Sequence, residues 1–232
     1  VVLLTLVVVD RRDPAFATPS KPIGLMMTEQ EAKLATARHG WTVMRDGAGW
    51  RRAVASPEPL EVIELAAIRS LMDAGYVVVC AGGGGIPVAR YGDGVLRGVE
   101  AVIDKDLTSS LLATALDADE LLILTDSDAA GAKASERSLN VLFQEEIPAR
   151  VARLPGADKD PCDFLLANGK EPFVEGLDHS LDLFEYKFEM VRRRHDLRTP
   201  LGLKNAVQEL MEVVSLVQDA VLRNRFRYEI VS

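Results

Sequence analysis

The chain is short of the residues that staple or metallate small folds, with two cysteines and three histidines in 232 residues. Cys80 and Cys162 lie far apart and near no histidine at ligand spacing. That argues against a disulfide scaffold or a zinc site and makes a reducing cytoplasm the expected compartment. A long apolar run is also missing. The opening V-V-L-L-T-L-V-V-V is about half of what a bilayer span needs, and neither a basic flank nor a small-residue cleavage site accompanies it. We therefore expect a buried strand there, no membrane segment and a cytoplasmic location. There is no basic excess either: the formal net charge is −8, so nucleic acid would have to be held by local patches or metals. No internal repeat or low-complexity segment interrupts the chain.

What is present suits a globular protein of one or two domains, 48% hydrophobic and 27% charged. Val1 to Val9 reads as a central strand with no lead-in, which predicts a missing segment upstream. Residues 13 to 58 hold most of the turn chemistry and read as an excursion from a main sheet. Within it, Thr28 and Glu31 have the spacing of a capping box for a helix to about Arg38. Pro59 is expected to start a helix with Ile63, Ala67 and Leu71 on one face, stopped by Gly75. Tyr76 to Ala81 reads as a second buried strand, followed by a hairpin turning at Gly92-Asp93-Gly94. Asp106 is expected to cap a helix from Leu107 to Leu116, and Leu121 to Leu124 to form a third buried strand. This order predicts a mainly parallel α/β sheet. A helix to about Phe143 and a strand from Arg150 to Leu154 follow. Beyond Lys170 the periodicity predicts helices only, the second opened by Thr199-Pro200 and the third by Asp219.

Two stretches could carry chemistry on their residues alone. Gly82, Gly83, Gly84 and Gly85 directly follow a strand, where a backbone free of side chains can turn its N–H groups on an anion; a flexible loop is the plain alternative. Asp126-Ser-Asp128 ends the Leu121 to Leu124 run, a place where an α/β sheet holds a divalent metal or a nucleotide, or merely turns. Lys105, between two aspartates, and Lys21, framed by Pro19 and Pro22, could neutralise a phosphoryl group, although each could equally be an ordinary surface lysine. His179 and His195 have no partner at catalytic spacing, and no role is assigned to them.

The segments K-P-I-G, G-W-R-R-A-V-A-S-P-E-P, A-G-G-G-G-I-P-V, L-R-G-V-E-A-V-I-D-K-D-L and L-L-I-L-T-D occur in the order found in carbamate kinase, and residues 5 to 126 closely resemble that family. The resemblance implies the amino-acid kinase fold and transfer of phosphate between ATP and carbamate with Mg2+. By matching position, Gly82 to Gly85 would lie beside carbamate and the transferred phosphate, Lys105 and Asp126 at the nucleotide, and Lys21 on a small lid. The family's first strand with its G-G-N-A loop would precede Val1, and the segment completing the nucleotide pocket would follow Asp126, where it is replaced.

From T-D-S-D-A-A-G-A-K-A-S-E-R-S through A-R-V-A-R-L-P-G-A-D-K-D-P-C-D-F-L to R-R-R-H-D-L-R-T-P-L-G, residues 125 to 232 resemble bacterial replicative primase. The likeness spans the later half of its Toprim metal-binding domain and the helices beyond. It implies Mg2+ at Asp126, Asp128 and Asp160, with nucleotides and single-stranded DNA as partners. Cys162 stands where that family usually carries another aspartate, and Lys133, Arg137 and Arg192 to Arg194 could touch nucleic acid. The expected fold is thus α/β: a partial amino-acid-kinase-like parallel sheet (1–126) joined to a partial Toprim unit (127–170) and a small all-helical C-terminal segment (171–232). Carbamate kinase activity, a primase fragment and an inactive chimera are the three readings carried forward.

Overall fold

The computed structural model describes residues 1–124, 139–140, 142–144, 148–154 and 160–231. The chain forms two compact units, Val1–Leu116 and Asp117–Ser232. In the first, strand β1 (Leu6–Val9) is central: Val7, Val8 and Val9 are all buried, as an unbroken β-branched run requires. It pairs in parallel with β6 (Ile86–Arg90) and antiparallel with β5 (Pro59–Val62). Pro59–Val62 is therefore a strand and not the start of a helix. The valines of β1 supply the ladder, Val7 opposite Val62, and Pro59 is tolerated because β5 is an edge strand. Helix α2 (Leu65–Asp73) begins only after this pairing ends, with Ile68 as its buried residue. Strand β7 (Leu96–Gly98) closes the sheet antiparallel to β6 across the expected Gly92 to Gly94 turn.

The second buried strand expected at Tyr76 to Ala81 does not form. Val79 makes a single parallel bridge to Val2, while Tyr76, Val77 and Val79 face solvent and Val78 and Cys80 pack on the core. Alternation leaves one face wet, so the segment is extended and half-buried. The excursion folds as its own antiparallel sheet in the order β2 (Lys21–Met27), β4 (Gly49–Val54), β3 (Val43–Asp46). Helix α1 (Glu29–His39) accompanies it, and its Thr28–Glu31 capping box is formed in both directions. Helix α3 (Lys105–Leu116) completes the first unit. Asp104, and not Asp106, caps it, its side chain accepting from the Asp106 N–H at 3.0 Å and its carbonyl from the Thr108 N–H at 3.1 Å.

In the second unit, β8 (Leu121–Leu124) runs parallel to β9 (Ala149–Ala152), and a two-residue strand β10 (Leu181–Asp182) adds to β9 antiparallel. The expectation of helices only beyond Lys170 is thus corrected by one short strand, fixed by Leu181 opposite Val151. Around it pack α4 (Pro161–Asn168), α5 (Lys170–Asp178), α6 (Leu183–Arg194), α7 (Pro200–Val214) and α8 (Ala220–Val231). Thr199 caps α7 with Pro200 in its first turn, and Asp219 accepts from the Val221 and Leu222 N–H groups at the start of α8, as their types predict. Phe184 stacks on Phe226 at 4.3 Å beside Leu142, Val151 and Val214 to make the core of this unit.

The architecture is mixed α/β with a largely helical C-terminal stretch, but the sheets are not mainly parallel. Among the described residues, β1–β6 and β8–β9 are the parallel pairs and the other strand pairs are antiparallel. Short connections between β3 and β4 and between β6 and β7 can only return antiparallel. Because both tryptophans, Trp41 and Trp50, lie in the first unit, their emission follows the unfolding of that unit alone. Ile68 is 1% exposed, so Ile68→Ala should destabilise the first unit by about 3 kcal/mol in urea melts followed by tryptophan fluorescence.

Candidate functional site

In the first unit the sequence-predicted residues meet where β6 begins and α3 starts. Ala81 enters the left-handed region at φ 52°, and Gly83, Gly84 and Gly85 continue it at φ 65°, 94° and 85°. Only glycine takes such a run without strain. The four glycines divide by surroundings. A Cβ on Gly84 would collide with the Ile103 carbonyl, and one on Gly85 with Val7, whereas Gly82 and Gly83 have nothing within 4 Å. The turn therefore has a packed side that locks it and an open side that could face a ligand. Two buried threonines fix it further: Thr108 Oγ1 donates to the Gly84 carbonyl at 2.9 Å, and Thr5 Oγ1 accepts from the Ala81 N–H at 2.8 Å.

Lys21, at the first position of β2, donates from Nζ to Asp104 Oδ2 at 2.9 Å. Asp104 immediately precedes Lys105, whose Nζ lies 2.9 Å from Asp106 Oδ1. The glycine turn, Lys21 and Lys105 thus share the Ile103 to Asp106 segment as their common support. Burial by itself pushes the Asp104 carboxyl up. The Lys21 ammonium, the Asp106 N–H and the charge of Lys105 more than offset this and hold it below the usual carboxylate range. Thr5, Thr108 and Asp104 escape a reading of the sequence. Thr5 inside an apolar run and Thr108 beside two serines carry no signal, and Lys21, the partner of Asp104, lies 83 residues away.

In the second unit, Asp160 caps α4, its side chain accepting from the Asp163 N–H at 2.8 Å, with Pro161 and the exposed Cys162 following. Asp126, Asp128, Lys133 and Arg137 lie outside the described residues. Among the described residues no group of three or more His, Cys, Asp or Glu side chains could hold a metal ion. His195 does have a partner: its Nε2 lies 2.9 Å from Glu209 Oε2, while Lys187 and Arg194 both donate to Glu209 Oε1 at 2.8 and 2.7 Å. Burial raises the Glu209 carboxyl, and the contacts from Lys187 and His195 with the charges of Lys187 and Arg194 bring it below its ordinary value. His179 Nδ1 sits 2.7 Å from the Glu175 carbonyl at the end of α5, a helix-end contact. No helix among the described residues is long and apolar enough to cross a membrane.

Residues 27–129 match the Amino acid kinase family, residues 97–165 a Toprim-like family, and residues 184–229 the DnaB-helicase binding domain of primase. Carbamate kinase-like protein YqeA of Escherichia coli (strain K12) is 55% identical over 124 residues, 53% of this chain and 39% of that protein. Carbamate kinase of Haemophilus influenzae is 44% identical over 191 residues, 80% of this chain and 62% of that protein. Carbamate kinase from Giardia lamblia bound to citric acid superimposes with a TM-score of 0.56 at 37% identity, covering 66% of this chain and 58% of that one. The chain thus spans roughly half the length of the curated relatives it matches, from 39% to 62% in these and similar cases. A match over 80% of the chain is longer than the first 126 residues, so the likeness to carbamate kinase extends past the point where the resemblance to primase begins. Homology to carbamate kinases is strong over much of the chain, and the likeness to primase parts is weaker.

The folded Asp104 titrates below its ordinary value, so its stabilisation is fully present above the unfolded carboxylate's pKa of about 4 and is lost as pH falls through the folded value. Asp104→Asn should therefore flatten the acid side of the first unit's stability profile and cost about 1 to 2 kcal/mol at neutral pH, read by urea melts between pH 3 and 7. An unchanged acid limb would contradict the assignment.

Proposed function

We propose that the first unit carries a carbamate-kinase-type phosphotransferase site, in which ATP phosphorylates carbamate to give ADP and carbamoyl phosphate. The observation that carries the reading is the convergence of the open glycine turn, Lys21 and Lys105 on one short segment, with the glycine turn and Lys105 inside the residues that match the Amino acid kinase family. In this reaction a carbamate oxygen forms the new bond to the γ-phosphorus while the bond to the bridging oxygen breaks, and the electron pair leaves on ADP. No proton has to move. Catalysis then rests on position and charge, which is the chemistry that fixed amides and lysines provide.

In this reading Gly82 and Gly83 present the open backbone to the carbamate and the transferred phosphate, Lys21 covers them from the small antiparallel sheet, and Lys105 and Asp126 serve the nucleotide. Lys21 exchanges its Asp104 partner for phosphate oxygens as charge spreads over the transferring group. ATP and Mg2+ are the cofactors that homology to the carbamate kinases supports. The described residues offer no protein cage for the metal.

A second reading applies to the C-terminal part, favoured by the Toprim-like and DnaB-helicase binding matches. There, residues 125–232 form a primase fragment in which Asp126, Asp128 and Asp160 hold Mg2+ and contact nucleotides or single-stranded DNA. The two readings separate cleanly by calorimetric nucleotide titration with and without Mg2+. Binding lost in Lys105→Ala supports the kinase site, whereas binding lost in Asp128→Ala and kept in Lys105→Ala supports the primase site. No binding in either case leaves the inactive chimera. If the kinase reading holds, Lys21→Ala and Lys105→Ala each lower kcat/KM for ATP-dependent carbamoyl phosphate formation by about 100-fold or more.

A further inference from the structure

The G-W-R-R-A-V-A-S-P segment has two adjacent arginines that no part of the proposed reaction uses. Arg51 is engaged within its own sheet, donating from Nε to the Gly24 carbonyl at 3.0 Å and from Nη1 to Asp46 at 3.2 Å. Arg52 points elsewhere. Its guanidinium lies 4.5 Å from the centre of the Trp41 ring and forms an ion pair with Glu100, just beyond β7. The His39 ring packs against the same indole at 5.0 Å.

The two ends of this ion pair are unlike. The Arg52 side chain is 20% exposed, whereas that of Glu100 is 73% exposed. A fork held from behind by an indole loses little freedom when it binds a planar oxyanion. A solvent-facing carboxylate is a weak and exchangeable partner, because water competes for it. Beside the pair opens a cavity of about 390 Å³, bordered by Phe16, His39, Trp41, Arg52, Glu100 and the Ala53 to Ala55 strand end. That volume falls within the range of small-molecule sites. The recess therefore combines a sheltered, preoriented guanidinium, an aromatic wall, a second nitrogen-bearing ring and a replaceable anion.

We propose that this recess at the base of the small antiparallel sheet is a binding site for a small oxyanion, a carboxylate or a phosphate, which takes the place of Glu100 on Arg52. Glu100 stands in for the ligand when none is present. The site is distinct from the glycine turn: it uses neither Lys21 nor Lys105. The same segment, Glu100 to Asp104, receives Arg52 at one end and Lys21 at the other. An anion that releases Glu100 thus removes one ionic tie between the small sheet and that segment.

The test titrates the full chain with inorganic phosphate and, separately, with succinate. Binding is read from Trp41 emission in a Trp50→Phe background and by calorimetry on the unmodified chain. Saturable binding is expected for at least one anion, and which one responds tells a phosphate ligand from a carboxylate. Affinity should rise about tenfold in Glu100→Gln, which removes the competing charge, and fall about tenfold in Arg52→Lys, which keeps the charge but loses the fork. Lys33→Ala, at an exposed lysine paired with Glu29 on α1, should leave it unchanged. Absence of binding in both the unmodified chain and Glu100→Gln overturns the proposal, as does binding that is indifferent to Arg52→Lys.

Discussion

Gly84 lies against the carbonyl of Ile103 with no room for a Cβ, and Thr108 donates to the Gly84 carbonyl from the first turn of α3. This backbone contact joins the start of β6 to the start of α3. The proposed phosphotransfer site depends on it. It sets the open side of the glycine turn, it aligns Asp104 to receive Lys21, and it fixes the helix end from which Lys105 projects. Backbone-to-backbone packing tolerates very little slack, so a side chain at position 84 would disturb all three together.

The second unit is organised differently. Its core is a helical layer around the Phe184–Phe226 stack, and a carboxylate, Glu209, gathers Lys187, Arg194 and His195. The Lys187 side chain is almost fully buried, and an ammonium leaves water only where anionic oxygens replace its hydration. The cluster ties α6 to α7, and removing Glu209 would take a compensating charge from the buried Lys187 ammonium. The two units thus rely on different physics: close backbone approach in one, aromatic packing and a polar cluster in the other.

What could be read from the sequence was local. The Thr28–Glu31 box, the Thr199-Pro200 cap, the Asp219 cap and the Gly92 to Gly94 turn are settled by residues within a few positions of one another, and each forms as its types predict. Pro59 to Val62 misled because its apolar spacing suits a helix, while its fate is decided by the valines of β1 some fifty residues earlier. Tyr76 to Ala81 misled because an apolar run does not say whether a full ladder will form beside it. Asp104 caps α3 through the nearby Asp106 N–H, whereas its tie to Lys21 crosses the fold and has no local signal. The proximity of Lys21 to the glycine turn came from family likeness, since nothing in either segment encodes it.

The two thiols differ in a way that makes the chain easy to instrument. Cys80 is half-buried, and burial pushes its thiol up, so little thiolate is available to attack an electrophile at neutral pH. Cys162 is exposed in the first turn of α4, in the second unit. Both indoles belong to the first. A maleimide dye meets the exposed thiol of one unit first while the indole donors lie in the other, which gives an optical ruler between the two units without a substitution.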